Sequence, residues 1–240
     1  MVTDTPFTGV ISSSVAFADV DGDNDQDILL NGYNTDFINT AKLYLNNGSG
    51  IFSEATDTPF EGTSGGDVAF ADIDGDNDQD ILITGNLTAT LYVNDGNGNF
   101  IEVIDTPFEG VGSSTINFTD IDGDNDQDLI ITGAIGDSFD YNYTTTLYLN
   151  DGNGNFTEIE DTPFAGVIFS AIAFADIDGD NDQDLVITGA ITESIDPERI
   201  SKLYQNDGDG NFLEIENTPF TAVYRGSISF ADIDGDNDQD

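Results

Sequence analysis

The chain has 240 residues, 48 of them acidic and 4 basic, for a formal net charge of -44. So few cations cannot neutralise phosphates, which excludes duplex nucleic acid as a partner and sets an anionic membrane surface against the chain. With no Cys and no His, disulfides, thiolate sites and imidazole sites are excluded, and no apolar run reaches membrane-spanning length, so membrane insertion is not expected either.

Acidity of this size first suggests disorder. The apolar content opposes it: 38% of the residues are hydrophobic, with 17 Phe and 8 Tyr, and they fall in short strand-like bursts. The first ten residues, MVTDTPFTGV, lack the basic and apolar regions of a secretory signal, so an export signal is expected to lie outside this segment.

Along the chain one series of elements returns. Each unit opens on a TPF triplet, at Thr5, Thr58, Thr106, Thr162 and Thr218. A VAFAD-type run follows, such as residues 68–72, and reads as a first strand. Fourteen residues after each TPF threonine begins the motif D-x-D-G-D-N-D-Q-D, with starts 53, 48, 56 and 56 residues apart. Next comes an apolar burst ending in Gly (ILLNG, ILITG, LIITG, LVITG), a second strand. A stretch of 10, 5, 13 and 13 residues precedes the third strand, LYLN, LYVN, LYLN or LYQN, as at residues 91–94. That stretch absorbs all the length variation. The segment NDGNGN, residues 94–99, has the Gly and Asn of a tight hairpin, and residues 99–104 form a fourth strand. No segment carries a helical period. The repeats run approximately over 4–56, 57–104, 105–160, 161–216 and, in part, 217–240.

Four antiparallel strands in a tandem unit of about fifty residues predict an all-β fold, a β-propeller of four-stranded antiparallel blades. Residues 1–240 then form one propeller segment: four complete blades plus the first strand and acidic loop of a fifth. A solenoid coil is usually shorter, and an immunoglobulin-like unit needs about 100 residues. Small Ala residues beside Phe17, Phe70, Phe174 and Phe230 suit innermost strands crowded round a channel.

The acidic motifs carry the chemistry. They hold Asp19, Asp21, Asp23, Asp25 and Asp27; Asp72, Asp74, Asp76, Asp78 and Asp80; Asp120, Asp122, Asp124, Asp126 and Asp128; Asp176, Asp178, Asp180, Asp182 and Asp184; and Asp232, Asp234, Asp236, Asp238 and Asp240. A turn needs one or two such residues. Five carboxylates at alternating positions repel, at about 1 kcal/mol or more for each close pair. A hard cation resolves this, and calcium takes six to eight oxygens. In the second loop Asp72, Asp74, Asp76 and Asp80, at positions 1, 3, 5 and 9, offer carboxylates. Asp78 at position 7 offers its backbone carbonyl, with its side chain in solvent. Gly75 and Asn77 allow the bend. Position 12, Ile83, lacks the Glu of an EF-hand, and magnesium prefers fewer carboxylates. About one calcium ion per loop, up to five, is expected.

The stretches FADIDGDNDQDILITG (residues 70–85) and LYLNDGNGNF (residues 147–156) resemble the FG-GAP/VCBS repeat, the calcium-binding blade of integrin-α-like propellers. The resemblance covers essentially the whole chain. It implies a loop between the first and second strands of a blade that binds calcium through the side chains of positions 1, 3, 5 and 9 and the carbonyl of position 7. Position 6, usually Gly, is Asn24, Asn77, Asn125, Asn181 and Asn237 here, and Asn is the next-best residue for a left-handed backbone. The resemblance also implies an exported surface, adhesion or carbohydrate-binding protein, and a ring usually of seven blades.

The expected function is an extracellular or cell-surface adhesion or scaffold module with structural calcium. The alternatives are a lectin-like propeller and, below it, a non-catalytic part of a secreted enzyme. A meander places the variable loops and TPF linkers at one end of each blade and the acidic loops and DGNGN turns at the other. The longer variable loops carry Tyr33 and Phe37, then Phe139, Tyr141 and Tyr143, then Arg199 and Lys202, where a protein or glycan would bind. Open blade edges invite self-association. Catalysis is not expected, since with no His or Cys only carboxylates, Tyr and Lys remain; Glu193 and Glu198 are the candidate carboxylates unique to one blade.

Overall fold

The computed structural model describes residues 5–136, 141–233 and 239. Over them each of the first four repeats folds into one four-stranded antiparallel sheet with its strands in chain order. The first sheet holds β1 (Val10–Ala18), β2 (Asp27–Asn34), β3 (Asn39–Asn46) and β4 (Phe52–Glu54). The second holds β5 (Val68–Ala71), β6 (Asp80–Gly85), β7 (Thr88–Asn94) and β8 (Phe100–Glu102). The third holds β9 (Gly112–Thr119), β10 (Asp128–Ile135), β11 (Asn142–Asn150) and β12 (Phe156–Ile159). The fourth holds β13 (Ile168–Ala175), β14 (Asp184–Ala190), β15 (Arg199–Asn206) and β16 (Phe212–Ile215). One meander per repeat is the blade of a β-propeller. The chain divides into two compact units, residues 1–112 and 113–240.

The second strand of each repeat is its core. Every residue of β6 and β14 is buried, as a continuous apolar run predicts. In the first unit Val20, Leu29 and Leu43 pack with Val68, Ile81 and Ile83 of the next sheet, and in the second unit Ile130 packs with Val167, Ile172 and Leu185. Polar links accompany the apolar ones. Asn31 and Thr63 exchange two hydrogen bonds of 2.7 and 2.8 Å, and Thr63 donates to the carbonyl of Thr84.

The TPF linker is held by the LY pair of the blade it introduces. Tyr44, Tyr92 and Tyr204 are fully buried. The rings of Phe7, Phe60 and Phe164 meet them edge-on at 5.1 Å. Their hydroxyls accept from the backbone N–H of Thr8, Glu61 and Ala165. A ring and a hydroxyl together fix where the chain passes from blade to blade.

Two boundaries differ from the sequence reading. The third strand of the second sheet begins at Thr88, not Leu91, because the shortest variable loop closes as a two-residue turn at Asn86 and Leu87. Both have positive φ (53° and 63°), the primed turn that suits strand twist. The expected first strand of the fifth repeat, residues 227–231, does not form. In the other repeats that strand pairs with the one after the acidic loop, as Val68 pairs with Ile83 and Ala71 with Asp80. For the fifth repeat the counterpart of Asp80 is Asp240, which lies outside the described residues, and the counterpart of Ile83 is not in this sequence.

Candidate metal centre

The acidic motif joins the first strand to the second in all four sheets, and its backbone is bent as Gly and Asn allow. Gly22, Gly75, Gly123 and Gly179 have φ between 74° and 82°, and Asn24, Asn77, Asn125 and Asn181 between 69° and 73°. Asn at position 6 thus supplies the left-handed turn expected of it.

This bend separates the five aspartates. Position 1 closes the turn: Asp72 accepts from the N–H of Gly75 at 2.9 Å and of Asn77 at 3.0 Å, and Asp19, Asp120 and Asp176 do the same in their loops. Position 5 accepts from the N–H two residues on, as Asp76 does from Asp78. Position 9 is buried. One oxygen of Asp80 accepts from the N–H of Ile73 at 3.1 Å and the other from that of Asn94 on β7 at 2.8 Å. Asp27, Asp128 and Asp184 make the same two bonds, to Val20 and Asn46, Ile121 and Asn150, and Ile177 and Asn206. Position 9 therefore staples the loop to the third strand.

Positions 1, 3 and 9 converge. One carboxylate oxygen from each of Asp19, Asp21 and Asp27 lies within 4.8 Å of the others, and so for Asp72, Asp74 and Asp80, for Asp120, Asp122 and Asp128, and for Asp176, Asp178 and Asp184. These four groups can hold a metal ion. Asp23, Asp76, Asp124 and Asp180 at position 5, and Asp25, Asp78, Asp126 and Asp182 at position 7, are not among those sets. Of the fifth loop, Asp234, Asp236, Asp238 and Asp240 lie outside the described residues.

The electrostatics call for a cation. The Oδ1 atoms of Asp21, Asp74 and Asp122 are buried and accept no hydrogen bond. Burial, then the charge of the neighbouring Asp23, Asp76 and Asp124, raises the titration of these three carboxyls above the ordinary value. Burial pushes Asp80 and Asp128 up to about 6 against the pull of their two N–H donors, and raises Asp27 and Asp184 as well. A buried acceptor with no donor, beside two further carboxylates, fits a hard cation that binds oxygen. The fourth loop differs: Asp178 is exposed and accepts from the amide of Gln205, which stands where the other repeats have Leu45, Val93 and Leu149.

Position 7 corrects one expectation. The side chain of Asp78 is half-buried against the hairpin turn of its own blade and does not stand free in solvent. A Cβ built on Gly96 would come within 2.3 Å of its Oδ2, and Gly48, Gly152 and Gly208 meet Asp25, Asp126 and Asp182 alike. Acidic loop and DGNGN turn thus share one end of the blade, as the meander predicts. Gly96 also has φ +72°. Gly96→Ala is therefore expected to cost about 1–3 kcal/mol, measured by denaturant unfolding. An unchanged midpoint would contradict this contact. The spacing of the motif gives Gly96 as a turn residue but carries no sign of what sits on it.

Within each unit the turn also reaches the preceding loop. Asn94 donates to the carbonyl of Val20 at 2.8 Å, and Asn206 to that of Ile121 at 2.7 Å. Turn residues Asp95, Asp151 and Asp207 titrate below the ordinary value; for the first two the leading cause is the amide of Asn99 or Asn155, and for Asp207 the N–H of Asp209.

In the variable loops Phe37 is 78% exposed and Tyr141 40%. Tyr33 and Tyr143 lie half-buried in β2 and β11, and Phe139 is outside the described residues. Lys202 pairs with Glu214 at 2.7 Å and Arg199 with Asp196. The N–H of Glu198 donates to Thr192, and among the described residues Glu193 and Glu198 belong to no converging carboxylate group. No helix of the structure is long and apolar enough to cross a membrane.

FG-GAP-like repeats match this chain over residues 19–83, 72–131, 120–187 and 194–240. No curated protein matches it. Among solved structures the chain is similar to an Agrocybe aegerita lectin described as recognising non-reducing terminal N-acetylglucosamine, with a TM-score of 0.54 and 22% identity over 87% of this chain and 51% of that one. The chain thus spans about half the length of that lectin. It also aligns with a Photorhabdus luminescens Tc holotoxin pore structure, with a TM-score of 0.41 and 18% identity over 89% of this chain and 10% of the other. The likeness to the lectin concerns the fold alone.

Proposed function

The chain belongs to the FG-GAP-like repeat family, and from that premise we propose that it is an extracellular calcium-binding repeat module whose ions fix the blades for adhesion or surface scaffolding. The observation that carries the calcium reading is the partnerless buried Oδ1 of Asp21, Asp74 and Asp122, each in a group of three carboxylates. Positions 1, 3 and 9 would hold the ion, with position 5 and the carbonyl of position 7 completing the set. Bound calcium supplies charge neutralisation at the strand-to-strand turn. The chain's own part is to hold position 9 by two backbone donors and to bend positions 4 and 6, so that the carboxylates converge. An all-oxygen set of several carboxylates favours calcium over magnesium. Extracellular modules of modest affinity suit millimolar calcium, and members of this family are typically extracellular. The large residual acidity keeps the surface soluble. The role is non-catalytic in this reading.

A second reading, binding of glycans by the variable loops, is supported by exposed Phe37 and Tyr141. The immobilised chain would be probed with extracellular proteins and glycans in millimolar calcium and again in chelator. A partner held in calcium and released by chelator is expected. Retention indifferent to calcium would contradict a module whose binding face depends on its ions.

A further inference from the structure

Seven residues after each TPF threonine stand Ser12, Gly65, Ser113, Phe169 and Arg225. All five have a left-handed backbone, with φ of 47°, 63°, 52°, 49° and 54°. In β1 and β13 the ladder slips a register at this point, a bulge at Ser12 and Phe169. Successive positions are joined: the N–H of Gly65 donates to the carbonyl of Ser12 at 3.0 Å, and that of Arg225 to Phe169 at 2.8 Å. Gly takes this conformation freely; residues with a Cβ are strained there, and at Phe169 and Arg225 the strain is borne by a large side chain.

The two bulky residues meet. The Arg225 guanidinium lies over the Phe169 ring at 4.2 Å and within 5.8 Å of Tyr224. The Arg199 guanidinium also lies over Tyr224, 5.4 Å from the ring centre, and is paired with Asp196. Tyr143, Phe169 and Tyr224 rest together on Ala134, Ile168 and Ala190. In a chain of net charge -44, Arg225 alone among the described cations has no carboxylate partner, and it is exposed.

We propose that Arg225, Phe169 and Tyr224, with Tyr143 and Arg199 beside them, form a binding site for a saccharide carrying a single carboxylate, such as a uronic or sialic acid residue at a glycan end. This deepens the glycan reading and does not depend on the calcium reading. A guanidinium held over a ring by its carbon keeps N–H donors for a planar carboxylate. The rings of Phe169 and Tyr224 hold the two guanidiniums in place, and Tyr143 lies beside them. The net charge of the chain weighs more against polyanions than against a ligand of one charge.

The probes are methyl glucuronide and N-acetylneuraminic acid against neutral methyl glucoside, titrated into the full chain in calcium and followed by saturation-transfer NMR and calorimetry. At least one acidic sugar is expected to bind about tenfold or more tighter than methyl glucoside, as a charge-assisted bond implies. Arg225→Gly and Phe169→Ser, residues the same position carries in other repeats, are expected to abolish that preference. Arg225→Gly should also leave Tm unchanged or raise it, since the strain is relieved; a clear fall in Tm would make Arg225 a structural staple and overturn the site. Neutral and acidic sugars binding alike, in wild type and variants, would leave the glycan reading standing and remove this site. Binding of no sugar of either kind would remove both.

Discussion

Asp80→Ala is expected to destabilise the calcium-loaded chain by roughly 3–5 kcal/mol and to remove one bound ion. Asp80 is fully buried and its two oxygens take the N–H groups of Ile73 and Asn94. Alanine leaves both donors buried without acceptors, each at about 1–3 kcal/mol, and deletes one of the three converging carboxylates. The damage spreads, because Asn94 also ties its turn to the carbonyls of Val20 and Gln79. Asp78→Ala is the control, as its side chain contributes to no carboxylate group and accepts no hydrogen bond among the described residues. Denaturant unfolding in saturating calcium, with an ion count on the same samples, separates the two. If Asp78→Ala proved as damaging as Asp80→Ala, or Asp80→Ala kept every ion, the assignment of position 9 would fail.

In chelator the chain is expected to be more stable at pH 5 than at pH 7, and in calcium the order reverses. Asp80 and Asp128 are raised in the folded chain from 3.8 to about 6 by burial. A carboxyl raised on folding holds its proton more tightly when folded. Its contribution is therefore complete below the unfolded value and lost as pH rises through about 6. Each such displacement corresponds to roughly 3 kcal/mol at full extent. Calcium competes with these protons, so its stabilisation grows as the carboxyls ionise and fades as pH falls through the same window. Thermal melts at both pH values, each with and without calcium, give the four numbers. A metal-free chain that lost stability steadily from pH 7 to pH 5 would show that the buried carboxyls do not titrate as their surroundings demand.

The blade was legible because its signals are local. Apolar bursts of strand length, Gly and Asn turns and a constant offset from TPF to the acidic motif placed the four sheets. Asn at position 6 announced its own backbone. The division of labour among the five aspartates was legible only in part: the spacing set position 7 apart, but the letters at positions 5 and 9 are the same. Depth separates them: Asp80 is carried under β7, Asp76 stays outside, and Asp78 lands on a glycine of another turn. The pairing of Phe60 with Tyr92 was hidden because the variable loop lies between them and changes their spacing from repeat to repeat. The left-handed position at Phe169 and Arg225 sits at a constant offset, yet its residues share no chemistry with Ser12 or Gly65. Only the backbone angle unites them.

The most direct test of the account is a thermal melt of the whole chain at pH 7, once in excess chelator and once in millimolar calcium. Binding to the native state adds roughly 2.7 kcal/mol per site at a hundredfold excess over Kd. Four sites of converging carboxylates predict a large rise in Tm, or folding that requires calcium. Identical melting curves would contradict the account, and would leave the buried aspartates as turns that fold without an ion.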